Sequence, residues 1–281
     1  MSTKTSRGRS QAMLTVQRVE WLTDHMVRVV AGGPGFDDFH NNEFTDRYVK
    51  IYFARPGLDL RPPFDVKALR KTMDPGGLPV TRTYTVRWVD EASKTLAIDF
   101  VVHGDEGLAG PWAASAQPGD TFVVGGPGGK YAPTEDVDWH LFAGDESAIP
   151  AIGAALEALP ADAVGMAYLE VDSLELAPEV KAPRGVEIRL VCRAGEGQNP
   201  ERLRDAVAAG PWPDAEMEVF AHGERAAMKA LRKLLKGRGV DRHRISLSGY
   251  WAEGRTEDRF SPASGRYPQV EKREPIGQIA D

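Results

Sequence analysis

A chain of 281 residues, 42% apolar and 27% charged, has room for one large domain or two of ordinary size with real hydrophobic cores. Its net charge of −6 argues against general nucleic-acid affinity, and its single cysteine, Cys192, excludes an internal disulfide. No apolar run approaches the roughly 20 residues that span a bilayer; residues 1–11 are polar and basic without a signal peptide's apolar stretch, so a flexible leader over 1–12 and a cytoplasmic location are expected.

From residue 13 the chain reads as strands punctuated by Gly and Pro. Candidate strands are 13–19, 26–31, 47–53, 80–89, 95–103 and 121–125, with no long amphipathic helix between them. This spacing predicts an antiparallel barrel or sandwich. The stretch 55–79 is a long proline-bearing insertion with a short helix expected at 66–72, and loops of that length often serve a site.

Near Asp138 the rhythm changes. Apolar strands are predicted at 139–143, 165–171, 186–192, 217–221 and 245–248. Helices are expected between some of them, most clearly at 224–236, where Ala227, Leu231, Leu234 and Leu235 share one face. Strands alternating with helices imply a doubly wound parallel sheet covered on both faces. Cys192 ends one of these strands and is expected to be inert packing. A boundary around 130–138 gives two units, 13–135 and 136–259, and 260–281 reads as a polar tail without a packing pattern.

Four segments carry chemistry-bearing residues. In the first, Arg82, Tyr84, Val86 and Trp88 are expected on one face of a strand and Thr83, Thr85 and Arg87 on the other. Arginine offers a planar fork of donors for phosphate oxygens, and tyrosine a flat ring to lie against another aromatic system. The plain alternative is an ordinary exposed strand. The second runs from His103 through three glycines into a helix expected to start at Pro111, where exposed N–H groups attract phosphate; a hairpin loop with one helical turn is the alternative. The third, 142–150, leaves the first strand of the parallel sheet and opens a helix. It lacks the Gly-x-Gly-x-x-Gly fingerprint, and Asp145 and Ser147 read equally as helix caps and as ligands. In the fourth, Tyr250 and Trp251 follow a glycine, suited either to covering a ring system or to pinning the chain end. The six histidines are scattered, His222 and His243 have no partner at metal-ligand spacing, and no metal site is expected.

In this order and spacing, together with Val27-Arg28-Val29-Val30, Tyr48-Val49-Lys50-Ile51 and the proline-rich lead-in to Arg82, the segments resemble the siderophore-interacting proteins, relatives of the ferredoxin-reductase superfamily. The resemblance covers roughly residues 16–259. It implies an N-terminal antiparallel FAD-binding barrel followed by a doubly wound parallel-sheet, nucleotide-binding-like domain. The activity it implies is reduction of ferric siderophores to release Fe(II). By that match Arg82 meets the pyrophosphate, and Tyr84 and Thr85 contact the isoalloxazine. The 103–113 loop cradles the rest of the dinucleotide through His103, Gly107, Ala109, Trp112 and Ala113; Asp145 and Ser147 lie at the cofactor crevice, and Tyr250 and Trp251 close over it. Leu108 stands where proline is common, and Ala252 where members often carry arginine, which removes one anchor for an anionic substrate that Arg255 is placed to replace. Lys50, Lys130 and Arg255 are the candidate cations for the chelate; solvated surface charge is the plain reading of each.

Reduced ferredoxin, NADH and NADPH all stand as electron sources, and a monomer is expected. Two other functions stay open: a general NAD(P)H:flavin oxidoreductase with another acceptor, and a non-catalytic siderophore-binding protein.

Overall fold

The structure, a computed structural model, describes residues 11–54, 57, 60–102, 104, 107–197 and 199–255. The expected tail at 260–281, His103 and all but the end of the expected leader lie outside the described residues. β1 (Gln11–Thr23) begins within that leader, because Gln11 and Ala12 pair with Gly125 and Val124.

β1, β2 (Met26–Gly32), β3 (Tyr48–Phe53), β4 (Val80–Asp90), β5 (Thr95–Val101) and β6 (Thr121–Gly128) close into an antiparallel barrel in the order β1-β2-β5-β4-β3-β6. The barrel, not the sandwich, is the outcome. Alternation along the strands sends Leu14, Val27, Val29, Val49, Ile51, Ile98, Phe100 and Val124 into its core. The insertion carries α1 (Val66–Thr72), capped by the Asp65 carboxylate accepting from Ala68 N at 2.9 Å. Gln11 holds this insertion to the barrel by exchanging two hydrogen bonds with the Phe64 backbone.

The strand expected at 95–103 stops at Val101, and those expected at 217–221 and 245–248 run on to Glu224 and Trp251, so Tyr250 and Trp251 lie within the last strand and not after it. Two further strands need correction in their pairing. β6 runs on to Gly128, past the expected end at 125. The extra residues Gly126 and Pro127 bulge between two pairings with β3, Lys50 with Gly125 and Tyr48 with Gly128, so the proline needs no ladder bond. In β4, Val86 pairs with Ile98 and Trp88 with Ala97, leaving Arg87 as a bulge. The bulge reverses the faces beyond it: Val89, rather than Trp88, joins Tyr84 and Val86 against the barrel core.

β7 (Trp139–Asp145), β8 (Val164–Val171), β9 (Gly185–Cys192), β10 (Met217–Glu224) and β11 (Ile245–Trp251) form a parallel sheet in the order β11-β10-β7-β8-β9. The order reverses between β7 and β10, the switch point at which open α/β sheets leave a crevice. α4 (Arg202–Ala208) and α5 (Arg225–Gly237) cover one face, with α5 burying Ala227, Met228, Leu231 and Leu235. Glu224, expected as α5's first residue, is its cap instead.

The other face is covered by α3 (Ile149–Ala158) and by the β8–β9 crossover, which lays Ala177, Val180 and Ala182 there. α3 is buried on nearly all sides because its far side meets the barrel. There the bulged Arg87 donates to both Glu157 oxygens, at 2.8 and 2.6 Å, and Arg28 and Asp99 form a second bidentate pair at 2.7 and 2.8 Å. Barrel and sheet thus share a seam along α3 and β4. Among the described residues no helix is long and apolar enough to cross a membrane.

Candidate functional site

One end of the barrel gathers rings and the backbone donors of a helix start. The half-buried Tyr84 ring lies 4.4 Å from Phe100, and Trp112 packs edge-on against Phe53, Phe100 and Phe122 at 5.1–5.7 Å. Arg82 follows on the same strand face as Tyr84, its Nη1 donating to Thr81 O at 2.9 Å. α2 (Ala109–Ser115) starts two residues before the expected Pro111. Its N-cap, Leu108, provides no side-chain acceptor for the first N–H groups of the helix, while Ala109 and Ala113 are buried in the barrel core. Gly104 and Gly107 before it have φ of +53° and +84°, a turn that favours glycine. A guanidinium, the N–H groups of a helix start and flat ring faces are a set of groups suited to a dinucleotide.

The barrel's outer face adds a polar row. Tyr48, Lys50 and Tyr52 of β3 stand opposite Thr85, Thr83 and Thr81 of β4, and Lys50 Nζ donates to Thr83 Oγ1 at 3.0 Å. On the other side of β3, a Cβ at Gly128 or Gly125 would run into the Tyr48 or Tyr52 ring, at 2.3 and 2.9 Å. Lys130 is exposed, while its backbone N–H and that of Tyr131 bind the buried Asp46 carboxylate at 2.8 and 2.9 Å. Arg255 is exposed at the tight turn after β11, bridged to Ala252. The three candidate cations therefore stand on three separate elements.

The second cluster lies at the switch point. Asp145, at the end of β7, is only 5% exposed. Its Oδ1 accepts from Ser147 N at 3.0 Å and from the Ser147 hydroxyl; its Oδ2 accepts from Glu224 N at 2.7 Å and Trp251 Nε1 at 2.9 Å. Burial pushes the Asp145 carboxyl up, against these hydrogen bonds. Neither Asp145 nor Ser147 caps α3, whose N-cap is Ala148 without a side-chain bond. Across the seam the half-buried Tyr250 turns its phenol to the Thr85 hydroxyl, and loss of solvent at the phenol, with Asp46, Asp145 and Tyr48 nearby, holds its proton on well above the ordinary range. Further along the carboxyl edge, Arg193 Nη2 donates to both Glu146 oxygens at 2.7 and 2.6 Å, and Arg202 reaches Glu170 at 3.3 Å.

His222, scattered in sequence, is central in space. It stacks on Phe220 at 4.1 Å and meets the Tyr250 ring edge-on at 4.8 Å. Its Nε2 lies 3.1 Å from Ser246 Oγ, and its Nδ1 finds no hydrogen-bond partner among the described residues. The readable signal was its place next to the Gly223-Glu224 end of a strand. Burial pushes the imidazole down from 6.5 to about 3, so it is neutral in the folded chain. Between those values the unfolded chain holds more protons, so stability falls as pH drops from about 6.5 toward 3, by up to about 1.4 kcal/mol per pH unit. His222→Phe is expected to flatten that part of the profile. Urea unfolding from pH 7 to 4 checks this, and parallel curves for the two proteins would contradict it.

Two family models match, one described as a siderophore-interacting FAD-binding domain over residues 15–131 and one as a siderophore-interacting protein over residues 137–254. The ferric vibriobactin reductase of Vibrio cholerae is 32% identical over 251 residues, covering 88% of this chain and 92% of that protein. The NADPH-dependent ferric-chelate reductase of Escherichia coli is 32% identical over 249 residues, covering 85% and 91%. The crystal structure of a siderophore utilization protein from T. fusca aligns with a TM-score of 0.76 at 35% identity, covering 88% of this chain and 94% of that one. The chain belongs to the siderophore-interacting protein family.

Proposed function

We propose that the protein is an FAD-dependent reductase that passes electrons from NADH or NADPH to ferric siderophores in the cytoplasm and so releases Fe(II). The observation that carries this reading is the seam where Thr85 of the barrel meets Tyr250 of the parallel sheet, in a chain whose first half matches an FAD-binding family model. The working units are 13–135, which holds the flavin, and 136–259, from which the nucleotide approaches.

Bound FAD supplies a carrier that accepts two electrons as hydride and releases them singly. The chain's own part is binding and orientation. Arg82 and the start of α2 take the phosphates, with Gly107 turning the backbone toward them and Trp112 and Ala113 supporting the loop. Tyr84 and Thr85 border the ring, with Tyr250 on the sheet side. Lys50, Lys130 and Arg255 draw the anionic chelate toward this face. Hard oxygen donors hold Fe(III) far better than Fe(II), so one electron loosens the metal, and no general acid or base is required.

The test is an anaerobic assay in which NADPH, NADH or reduced ferredoxin is offered with a ferric siderophore and Fe(II) is trapped by a coloured Fe(II)-specific chelator. The expected result is about two Fe(II) per nucleotide consumed, by electron count, with the siderophore preferred over ferric citrate and redox dyes. Equal rates with all acceptors would replace this reading with a general flavin reductase.

A further inference from the structure

Tyr250 reaches the barrel through an irregularity in β11. That strand runs parallel to β10 with His222 opposite Ser248 and Gly223 opposite Gly249, but Glu224 then stands opposite Trp251. Tyr250 is the extra residue, and a bulge re-aims the side chain it carries. Here it turns the phenol toward Thr85, with the ring seated against His222.

A bulge needs something to hold it, and the holder stands one residue further on. The Trp251 indole donates to Asp145 Oδ2, the oxygen that also accepts from Glu224 N directly across from Trp251. One buried carboxylate therefore joins the ends of β7, β10 and β11. Gly223 is shaped to admit it: its φ is +150°, and a Cβ there would come within 2.6 Å of Asp145 Oδ2. Both Asp145 oxygens receive N–H donors. An asparagine would turn its own N–H₂ toward one of them, so the arrangement demands a carboxylate and not merely a polar group of that shape.

We propose that Asp145 and Trp251 are positioning residues that hold the Tyr250 bulge and thereby set the phenol against Thr85 at the flavin ring. The inference rests on the reading of Thr85 and Tyr250 as flanking that ring, and it assigns Asp145 and Trp251 to the architecture behind the ring instead of to contact with it. Trp251→Phe keeps an aromatic of similar shape and removes only the donor; Tyr250→Phe removes the phenol oxygen.

The experiment is a double-variant cycle on the full FAD-loaded chain, reading the flavin midpoint potential and the kcat and KM of ferric-siderophore reduction. Trp251→Phe is expected to shift the potential in the same direction as Tyr250→Phe, and to lower kcat about tenfold with KM changed less than about twofold, as misplacement at a reacting centre does. The double variant is expected to go no further than Tyr250→Phe alone. A Trp251→Phe protein with a lowered melting temperature but wild-type potential and kcat, or effects that simply add in the double variant, would overturn the proposal. Asp145→Asn is the harsher version, and Trp251→Phe keeps the test decisive if that variant does not fold. A wild-type chain that binds FAD but reduces no ferric chelate would remove the proposed function while leaving the potentials of the cycle to decide the positioning role.

Discussion

Replacing Arg82 with alanine is expected to weaken FAD binding by about 10- to 100-fold while leaving the melting temperature of the cofactor-free protein nearly unchanged. The asymmetry follows from where the side chain stands. Arg82 is half-buried near the start of β4, on the strand face it shares with Tyr84, and its Nη1 donates to the neighbouring Thr81 carbonyl. It is not one of the residues that fill the barrel core. Hydrogen bonds to a charged partner contribute about 1.5–3 kcal/mol, which sets the expected loss. Arg82→Lys keeps the charge but loses the planar fork, and is expected to fall between wild type and alanine. Fluorescence titration of the cofactor-free chain with FAD measures both; wild-type affinity in Arg82→Ala would remove Arg82 from the cofactor site.

Asp99→Ala is expected to destabilise the protein by about 3 kcal/mol, because it strands a guanidinium that folding has taken largely out of water. Asp99 is 5% exposed and accepts both Arg28 donors across the β2–β5 ladder. The hydrogen bond and charge of Asp99 raise the Arg28 pKa against burial, and Glu157 on α3 adds to the effect, so the pair also faces the seam. A loss of that size lowers the melting temperature of a chain this long by roughly 10 °C. Replacing both residues at once, Arg28→Met with Asp99→Leu, is expected to recover most of the loss, since an apolar pair of similar volume leaves no charge unpaired. Thermal unfolding of the three variants decides this. A double variant as unstable as Asp99→Ala would show that the carboxylate does more than neutralise Arg28.

The barrel and the parallel sheet were legible in the sequence because their strands alternate or run apolar in the usual ways, and because Gly and Pro mark most of the turns. Features set by a second element were not. The Arg87 bulge follows from the pairing of β4 with β5 and from Glu157 on α3, about 70 residues away. α3 carries little amphipathic signal because sheet and barrel cover opposite sides of it. Gly126 and Pro127 look like a turn and are a bulge inside β6.

The candidate site divides in the same way. Arg82, Tyr84, Thr85, Tyr250 and Trp251 stand out locally as residue types with an evident chemistry. What Asp145 does could not be read from its neighbours, since its partners Glu224 and Trp251 lie 79 and 106 residues further along. His222 was hidden for a related reason: its stacking on Phe220 is local, but its contact with Tyr250 depends on how β11 lies beside β10.

The most direct measurement is the visible spectrum of the purified protein, followed anaerobically through addition of NADPH and then of a ferric siderophore. The account predicts flavin bands that bleach with the nucleotide and return with the siderophore as Fe(II) appears. A colourless protein that cannot be reconstituted with FAD, or a reduced flavin that the siderophore fails to reoxidise, would contradict it.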